Sequence, residues 1–449
     1  GYVAAIRAAQ LGMKTGVIEK AEPGGVCLNW GCIPTKSLLK SAQVYSYIKH
    51  AGDYGITVQG DITAVFPAVI ERSRNVAAGM SKGIQYLLKK NNIELIPGYG
   101  RLSSTNTVTV ENEGETKGIT APHIILATGS RSRELPNLKQ DGKKIIGYRE
   151  ALTLEKQPAS MVVVGSGAIG TELAFFYNAL GTQVTLIEIL PTVVPLEDEE
   201  VGRQLGRSLK KLGIKVMVES SVESVETSDD LCRVIVKTRK GEEAVEAEIV
   251  LSAVGVSPNI ENLGLEELGI VLEKGKIKVD EFYRTNVSDI YAIGDIVHGQ
   301  ALAHVASAEG IVCVEKIAGM EPEPLDYHNI PSCVYTSPEV ASVGMTEKMA
   351  VEAGHEIKVG KFPFTASGKA SAAGERDGFV KLIFDAGSGS LLGAHMIGAN
   401  VTEMISGLVS GRKMGITGHD LIKSVHPHPT MSEAIMEAAA AAYGEVIHI

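Results

Sequence analysis

Two cysteines separated by four residues, Cys27-Leu28-Asn29-Trp30-Gly31-Cys32, have the types and spacing for reversible disulfide chemistry. Closing so short a loop removes little freedom from the unfolded chain and stabilises little, so the use of such a pair is exchange between disulfide and dithiol. Far along the chain, His426-Pro427-His428-Pro429 is followed by Ser432-Glu433. Prolines restrain the backbone around two imidazoles, and an acid five residues beyond His428 is placed to orient it. A base that trades protons with thiols near neutral pH is most naturally a histidine, and a carboxylate partner stabilises its charged form. A third group, Gly165-Ser166-Gly167-Ala168-Ile169-Gly170, matches G-x-G-x-x-G. Such glycines permit a tight turn and close approach to a pyrophosphate, which a helix N-terminus then meets with N–H donors.

The elements that must position these residues are readable around them. Met161-Val162-Val163-Val164 predicts a buried strand running into the glycine turn. A helix follows through Leu180 with its cap at Gly181, and a second strand, Gln183 to Ile187, ends at Glu188. Strand, helix, strand and terminal acid make a nucleotide-binding βαβ unit. Glu188 is placed for the adenosine ribose hydroxyls and would repel a 2′-phosphate, and no Lys or Arg occurs from Ile189 to Glu200 to offset it. NAD is therefore expected over NADP. Gly1 opens a second, partial copy: a helix from Tyr2 with a C-cap at Gly12, then a strand from Thr15 ending at Glu19. Gly1 reads as the last glycine of a fingerprint whose first strand lies upstream, with roughly a dozen or more further residues expected there.

Composition narrows the class. At 449 residues the chain suits about three domains. A net charge of −10 argues against a nucleic-acid partner. No apolar run approaches the about 20 residues of a membrane span. The cysteines, completed by Cys232, Cys313 and Cys333, are too few for a disulfide framework and lack the second pair that a zinc site would need, so no metal is expected. Those last cysteines are expected to be ordinary buried thiols.

Taken together, the Cys27–Cys32 stretch with Ile33-Pro34-Thr35-Lys36, the two βαβ patterns, Ile124 to Ser130, Ile290 to Asp295 and the His426–Glu433 run resemble the class I pyridine nucleotide-disulfide oxidoreductases. Within that family the chain is most similar to the dihydrolipoyl dehydrogenase branch. Pro331 to Ala341 matches that branch closely, and the C-terminus carries no extra cysteine pair. The resemblance covers essentially the whole chain. It implies an α/β fold: two Rossmann-like dinucleotide-binding domains, for FAD and NAD, plus a C-terminal α+β dimerisation domain. The implied segments are 1–126 and 255–328 for FAD, 127–254 for NAD and 329–449 for the interface.

By the same resemblance, FAD would be held by Gly1, Glu19, Lys36, Thr128, Gly129, Ser130, Gly294, Asp295 and Ala303. NAD would be held by Gly165, Gly167, Ile169, Gly170, Glu188 and Gly255. Relatives often carry Arg after that last glycine, where this chain has Val256. Cys27 would exchange with dihydrolipoamide, Cys32 would face the flavin, and Lys36, paired with Glu172, would stabilise negative charge there. His428 would be the base, held by Glu433 and supplied by the second subunit of a homodimer. The implied partners are lipoyl domains of 2-oxoacid dehydrogenase or glycine cleavage complexes. A bacterial cytoplasm is expected, with mitochondrion and plastid as alternatives. The competing reading is an NADH-dependent reductase of another disulfide or small acceptor in the same family.

Overall fold

The computed structural model describes residues 1–449, which form two compact units. The first gathers 1–37, 70–133 and 256–327; the second gathers 38–69, 134–255 and 328–449. No helix is long and apolar enough to cross a membrane.

In the first unit, parallel strands pair as Gly16–Glu19 with Glu94–Pro97 and as Ile124–Leu126 with Ile290–Ala292. The helices Tyr2–Gln10 and Ala303–Ile317 pack so closely that a Cβ on Gly310 would lie 3.0 Å from that of Ala4. The approach explains the small residues at the start of the chain: Ala4 and Ala8 are buried where larger side chains would push the helices apart. A three-stranded antiparallel meander, Tyr99–Ser104, Thr107–Asn112 and Glu115–Thr120, completes the unit.

The second unit holds a parallel sheet in the order Lys215–Met217, Gln183–Ile187, Ser160–Val164, Ile249–Ser252, Ile145–Ile146. Its central strand reads Met161 to Val164 without polar alternation because both faces are covered, and Val162 and Val163 are fully buried. Each such side chain contributes about 1.5–3 kcal/mol by leaving water. An antiparallel sheet follows in the order Ser332–Val334, Glu339–Gly344, Leu391–Gly398, Phe379–Asp385, Ile357–Pro363. The Ala-rich helix Glu433–Tyr443 lies on it where Gly360 leaves room: a Cβ there would stand 1.9 Å from the Ala438 carbonyl oxygen. That packing accounts for the apolar run Ala438 to Ala442.

Candidate active site

Cys27 sits in the short helix Gly25–Trp30 and Cys32 opens the helix Cys32–Lys49. Gly31 makes the break between them, and a Cβ on it would crowd the Val26 carbonyl oxygen at 3.1 Å. Inside the loop, the buried Asn29 donates from Nδ2 to the carbonyls of Pro23 and Gly25 at 3.2 and 3.0 Å. Consecutive residues of the helix Phe66–Lys90 then grip the segment from outside. Arg72 donates to the Ser37 carbonyl at 2.9 Å, Ser73 to the Pro34 carbonyl at 2.9 Å, and Arg74 to the Asn29 carbonyl at 2.6 Å. The Arg74 guanidinium also covers the Trp30 ring at 4.1 Å, and the indole N–H donates to Glu22.

These supporting residues were not among the sequence candidates. One signal existed: Ser73 falls on the apolar stripe of its helix, with Ile70, Ala77 and Ile84, where a buried hydroxyl needs a partner.

Both redox cysteines are half-buried. The hydrogen bond with Cys32, followed by burial, drives the Cys27 thiol far above its ordinary value, while the Lys36 ammonium pulls the other way. Among the other cysteines, Cys232 and Cys313 are buried, but Cys333 is half-buried, a correction to the expectation of a buried thiol.

Of the residues expected around FAD, Thr128, Gly129, Ser130, Gly294 and Asp295 follow the ends of the paired strands Ile124–Leu126 and Ile290–Ala292, whereas Glu19 ends another strand and Lys36 lies in the helix Cys32–Lys49. Ser130 donates from Oγ to Asp295 at 2.5 Å, and Thr128 donates to the Asn259 carbonyl at 2.6 Å. Gly129 and Gly294 both take left-handed conformations, with φ of 68° and 77°. The Gly294 N–H donates to Glu309 at 2.6 Å, whose other oxygen accepts from the Tyr327 hydroxyl. Burial lifts the Glu309 carboxyl to about 7 against those two hydrogen bonds. The helices beginning at Tyr2, after Gly1, and at Ala303 have no side-chain caps. Glu19 ends its strand and accepts from the Ala21 N–H. Open helix N-termini, strand-end acids and an Asp beside left-handed glycines fit a flavin dinucleotide.

The second glycine turn also fits its expected ligand. Gly165 has φ 95°, and a Cβ there would stand 2.5 Å from the Ala253 carbonyl oxygen; one on Gly170 would stand 2.0 Å from the Gly165 oxygen. No side chain caps the helix Ala168–Ala179, and Gly167, Ala168 and Ile169 are exposed, so the first turn's N–H groups face open space. Glu188 is buried at the end of Gln183–Ile187, where its carboxylate accepts from the Ser166 N–H and Oγ at 2.9 and 2.7 Å and from the Leu190 N–H. The acid and the turn are thus one hydrogen-bonded piece. Gly255, φ 105°, precedes the strand Val256–Pro258 that pairs with Ser130–Ser132. Glu172, buried on the turn's helix, accepts the Tyr335 N–H at 3.0 Å.

At the other end of the chain, His428 Nδ1 lies 2.8 Å from Glu433 Oε1, while Glu433 Oε2 accepts the Thr430 N–H at 2.8 Å. Burial would raise the Glu433 carboxyl, but the Thr430 and His428 hydrogen bonds outweigh it and hold the carboxyl below its ordinary range. The carboxylate fixes Nδ1 and leaves Nε2 outward, on a side chain 79% exposed. His426 Nδ1 instead lies beside the Ser424 carbonyl.

Residues 1–310 match the family described as pyridine nucleotide-disulphide oxidoreductase, and residues 330–439 match its dimerisation domain. The chain belongs to this family of flavoprotein disulfide oxidoreductases, with FAD and NAD as its cofactors, and the dimerisation match supports a homodimer. It is 45% identical to the dihydrolipoyl dehydrogenase of Rhizobium etli, over 100% of this chain and 97% of the relative. It is 46% identical to that of Zymomonas mobilis and 45% to that of Bacillus subtilis, with the same coverage. Among solved structures, LpdA of Mycobacterium tuberculosis superposes with a TM-score of 0.90 at 28% identity, over 98% of this chain and 96% of that one.

Proposed function

We propose that this chain oxidises dihydrolipoamide to lipoamide through Cys27 and Cys32 and passes the electrons to NAD. The carrying observation is the hydrogen-bonded contact between the Cys27 and Cys32 thiols at the break between two helices, in a chain 45% identical to a dihydrolipoyl dehydrogenase. Starting from the disulfide, His428 takes a proton from one substrate thiol. The thiolate attacks Cys27 Sγ, the Cys27–Cys32 bond breaks, and Cys32 leaves as a thiolate. The imidazolium discharges that proton to solvent and takes the one on the second substrate thiol; the second sulfur then closes on the first and expels Cys27, which receives this proton from the imidazole. The substrate has then lost two electrons and two protons, and the cysteine pair has gained the electrons. FAD, which Glu19, Thr128, Ser130 and Asp295 would hold, would supply the two-electron carriage from the cysteine pair to NAD.

Each role has a physical basis. The hydrogen bond with Cys32 pushes the Cys27 thiol up, and the Lys36 charge opposes that rise and favours a thiolate. Glu433 fixes the imidazole so that Nε2 faces the substrate. The high exposure of His428 supports the reading that it completes the site of a second copy, where it would be covered. Lys36 with Glu172, the flavin contacts at Glu19, Thr128, Ser130 and Asp295, and the NAD contacts at Gly165 to Gly170, Glu188 and Gly255 belong to the same reading. Its physiological substrates are lipoyl domains of 2-oxoacid dehydrogenase or glycine cleavage complexes in a bacterial cytoplasm. The test is turnover by the holoenzyme with NADH and lipoamide, glutathione disulfide or a quinone. Lipoamide should be preferred by orders of magnitude; equal or better rates with another acceptor would overturn the assignment.

A further inference from the structure

The chain between Glu188 and Asp198 is a strained wall behind the glycine turn. The Val194 N–H donates to the Ser166 carbonyl at 3.0 Å, and Ser166 is also the residue bound by Glu188. Val194 makes that bond at φ 43°, a left-handed conformation that a β-branched residue adopts only when its surroundings force it.

Part of that force is local: the helix Glu199–Lys211 passes so near that a Cβ on Gly202 would lie 2.6 Å from the Val193 carbonyl oxygen. The rest comes from the dimerisation segment of the same unit. Lys381, 1% exposed on the strand Phe379–Asp385, donates to both Asp198 oxygens at 3.1 Å and to Glu200 at 2.9 Å, and pairs with Glu347 at 2.6 Å. Ser332 donates to Glu197 at 2.8 Å. Asp377 accepts from Gln204 and Ser208 of the helix at 2.7 and 2.6 Å. A buried ammonium among carboxylates is weak evidence for stability in itself. Here it fastens Asp198, the N-cap of that helix and the end of the strained wall.

We infer that Lys381 and Asp377 are positioning residues for NAD: they hold the 189–198 wall, and through Val194 and Ser166 the glycine turn, in the shape that receives the pyrophosphate. This rests on assigning Gly165 to Gly170 and Glu188 to NAD. Without the tie, Val194 relaxes towards ordinary φ, its N–H leaves Ser166, and the receptive turn is populated only part of the time. Apparent NAD affinity falls by that fraction. Thiol–disulfide exchange at Cys27 uses neither the wall nor the turn and is left alone.

The test compares flavin-loaded Lys381→Met, Lys381→Arg and Asp377→Ala with the parent enzyme. Steady-state kinetics give KM for NAD, and stopped-flow mixing with dihydrolipoamide, without NAD, gives the first half-reaction. KM for NAD should rise about tenfold in Lys381→Met and a few-fold in Asp377→Ala, with partial rescue in Lys381→Arg and an unchanged half-reaction. Unchanged KM in folded Lys381→Met and Asp377→Ala overturns the inference; should Lys381→Met fail to fold, Asp377→Ala decides it alone. Glu188→Ala separates the two layers. A raised KM there with none in the tie variants sinks only the positioning role, whereas no rise in any variant sinks the NAD assignment as well.

Discussion

Cys27 and Cys32 are half-buried at a break between helices whose carbonyls are gripped by Arg72, Ser73 and Arg74, whereas His428 stands on an exposed loop and is oriented by Glu433. The contrast fits the roles proposed for the two groups. Two sulfurs that repeatedly make and break a bond must return to one narrow geometry, so their backbone is fixed from several sides. A proton carrier needs only a defined tautomer and access to a thiol. One carboxylate supplies the first, and exposure supplies the second.

Breaking the gripped side should cost most. Cys27→Ser or Cys32→Ser should lower lipoamide turnover by about three orders of magnitude or more, as loss of a nucleophile does, while NADH oxidation by artificial electron acceptors persists. Survival of lipoamide turnover in either variant would remove the disulfide from the mechanism. On the exposed side, His428→Gln should slow lipoamide turnover by about 10²–10⁴-fold with FAD still bound; near-normal rates would move the base elsewhere.

Loosening the grip without touching the sulfurs is the milder test. Arg74→Ala strips the Asn29 carbonyl of a charged donor, a loss of about 1–3 kcal/mol in thermal or denaturant unfolding. It also uncovers the chain's one tryptophan, so Trp30 emission should shift; an unshifted spectrum with full stability would show that the grip is idle.

The smallest effect is a pH slope. Glu309 is raised from 4.5 to about 7, so the folded protein binds its proton more tightly than the unfolded chain does. Its contribution to stability therefore falls as pH rises across that window. Glu309→Gln should flatten the decline in Tm between about pH 5 and pH 8; an unchanged slope would mean that Glu309 titrates normally.

Local patterns were legible in the sequence; distant partnerships were not. The strand Gln183–Ile187 lies where the βαβ pattern and its terminal acid placed it, and Ser160–Val164 begins one residue before the expected Met161. Short-range steric and burial demands fix those segments. His428 and Glu433 meet as their spacing suggested, because the intervening turn and helix start are local. Lys381 was invisible: one lysine between Val380 and Leu382 reads as the solvent face of a strand, and its carboxylate partners Asp198 and Glu200 lie far upstream. The same holds for Arg74, whose acceptor is a backbone carbonyl that carries no sequence signal, and for Arg72, whose partner Ser37 lies 35 residues upstream.

The central claim is that Cys27 and Cys32 carry electrons from dihydrolipoamide towards NAD. The most direct test is anaerobic alkylation of the oxidised holoenzyme, read by peptide mapping, before and after one equivalent of dihydrolipoamide and again after NAD. Both cysteines should be protected at the start, alkylated after dihydrolipoamide, and protected once more when NAD is added. Labelling of Cys27 and Cys32 that follows neither reagent would contradict the account.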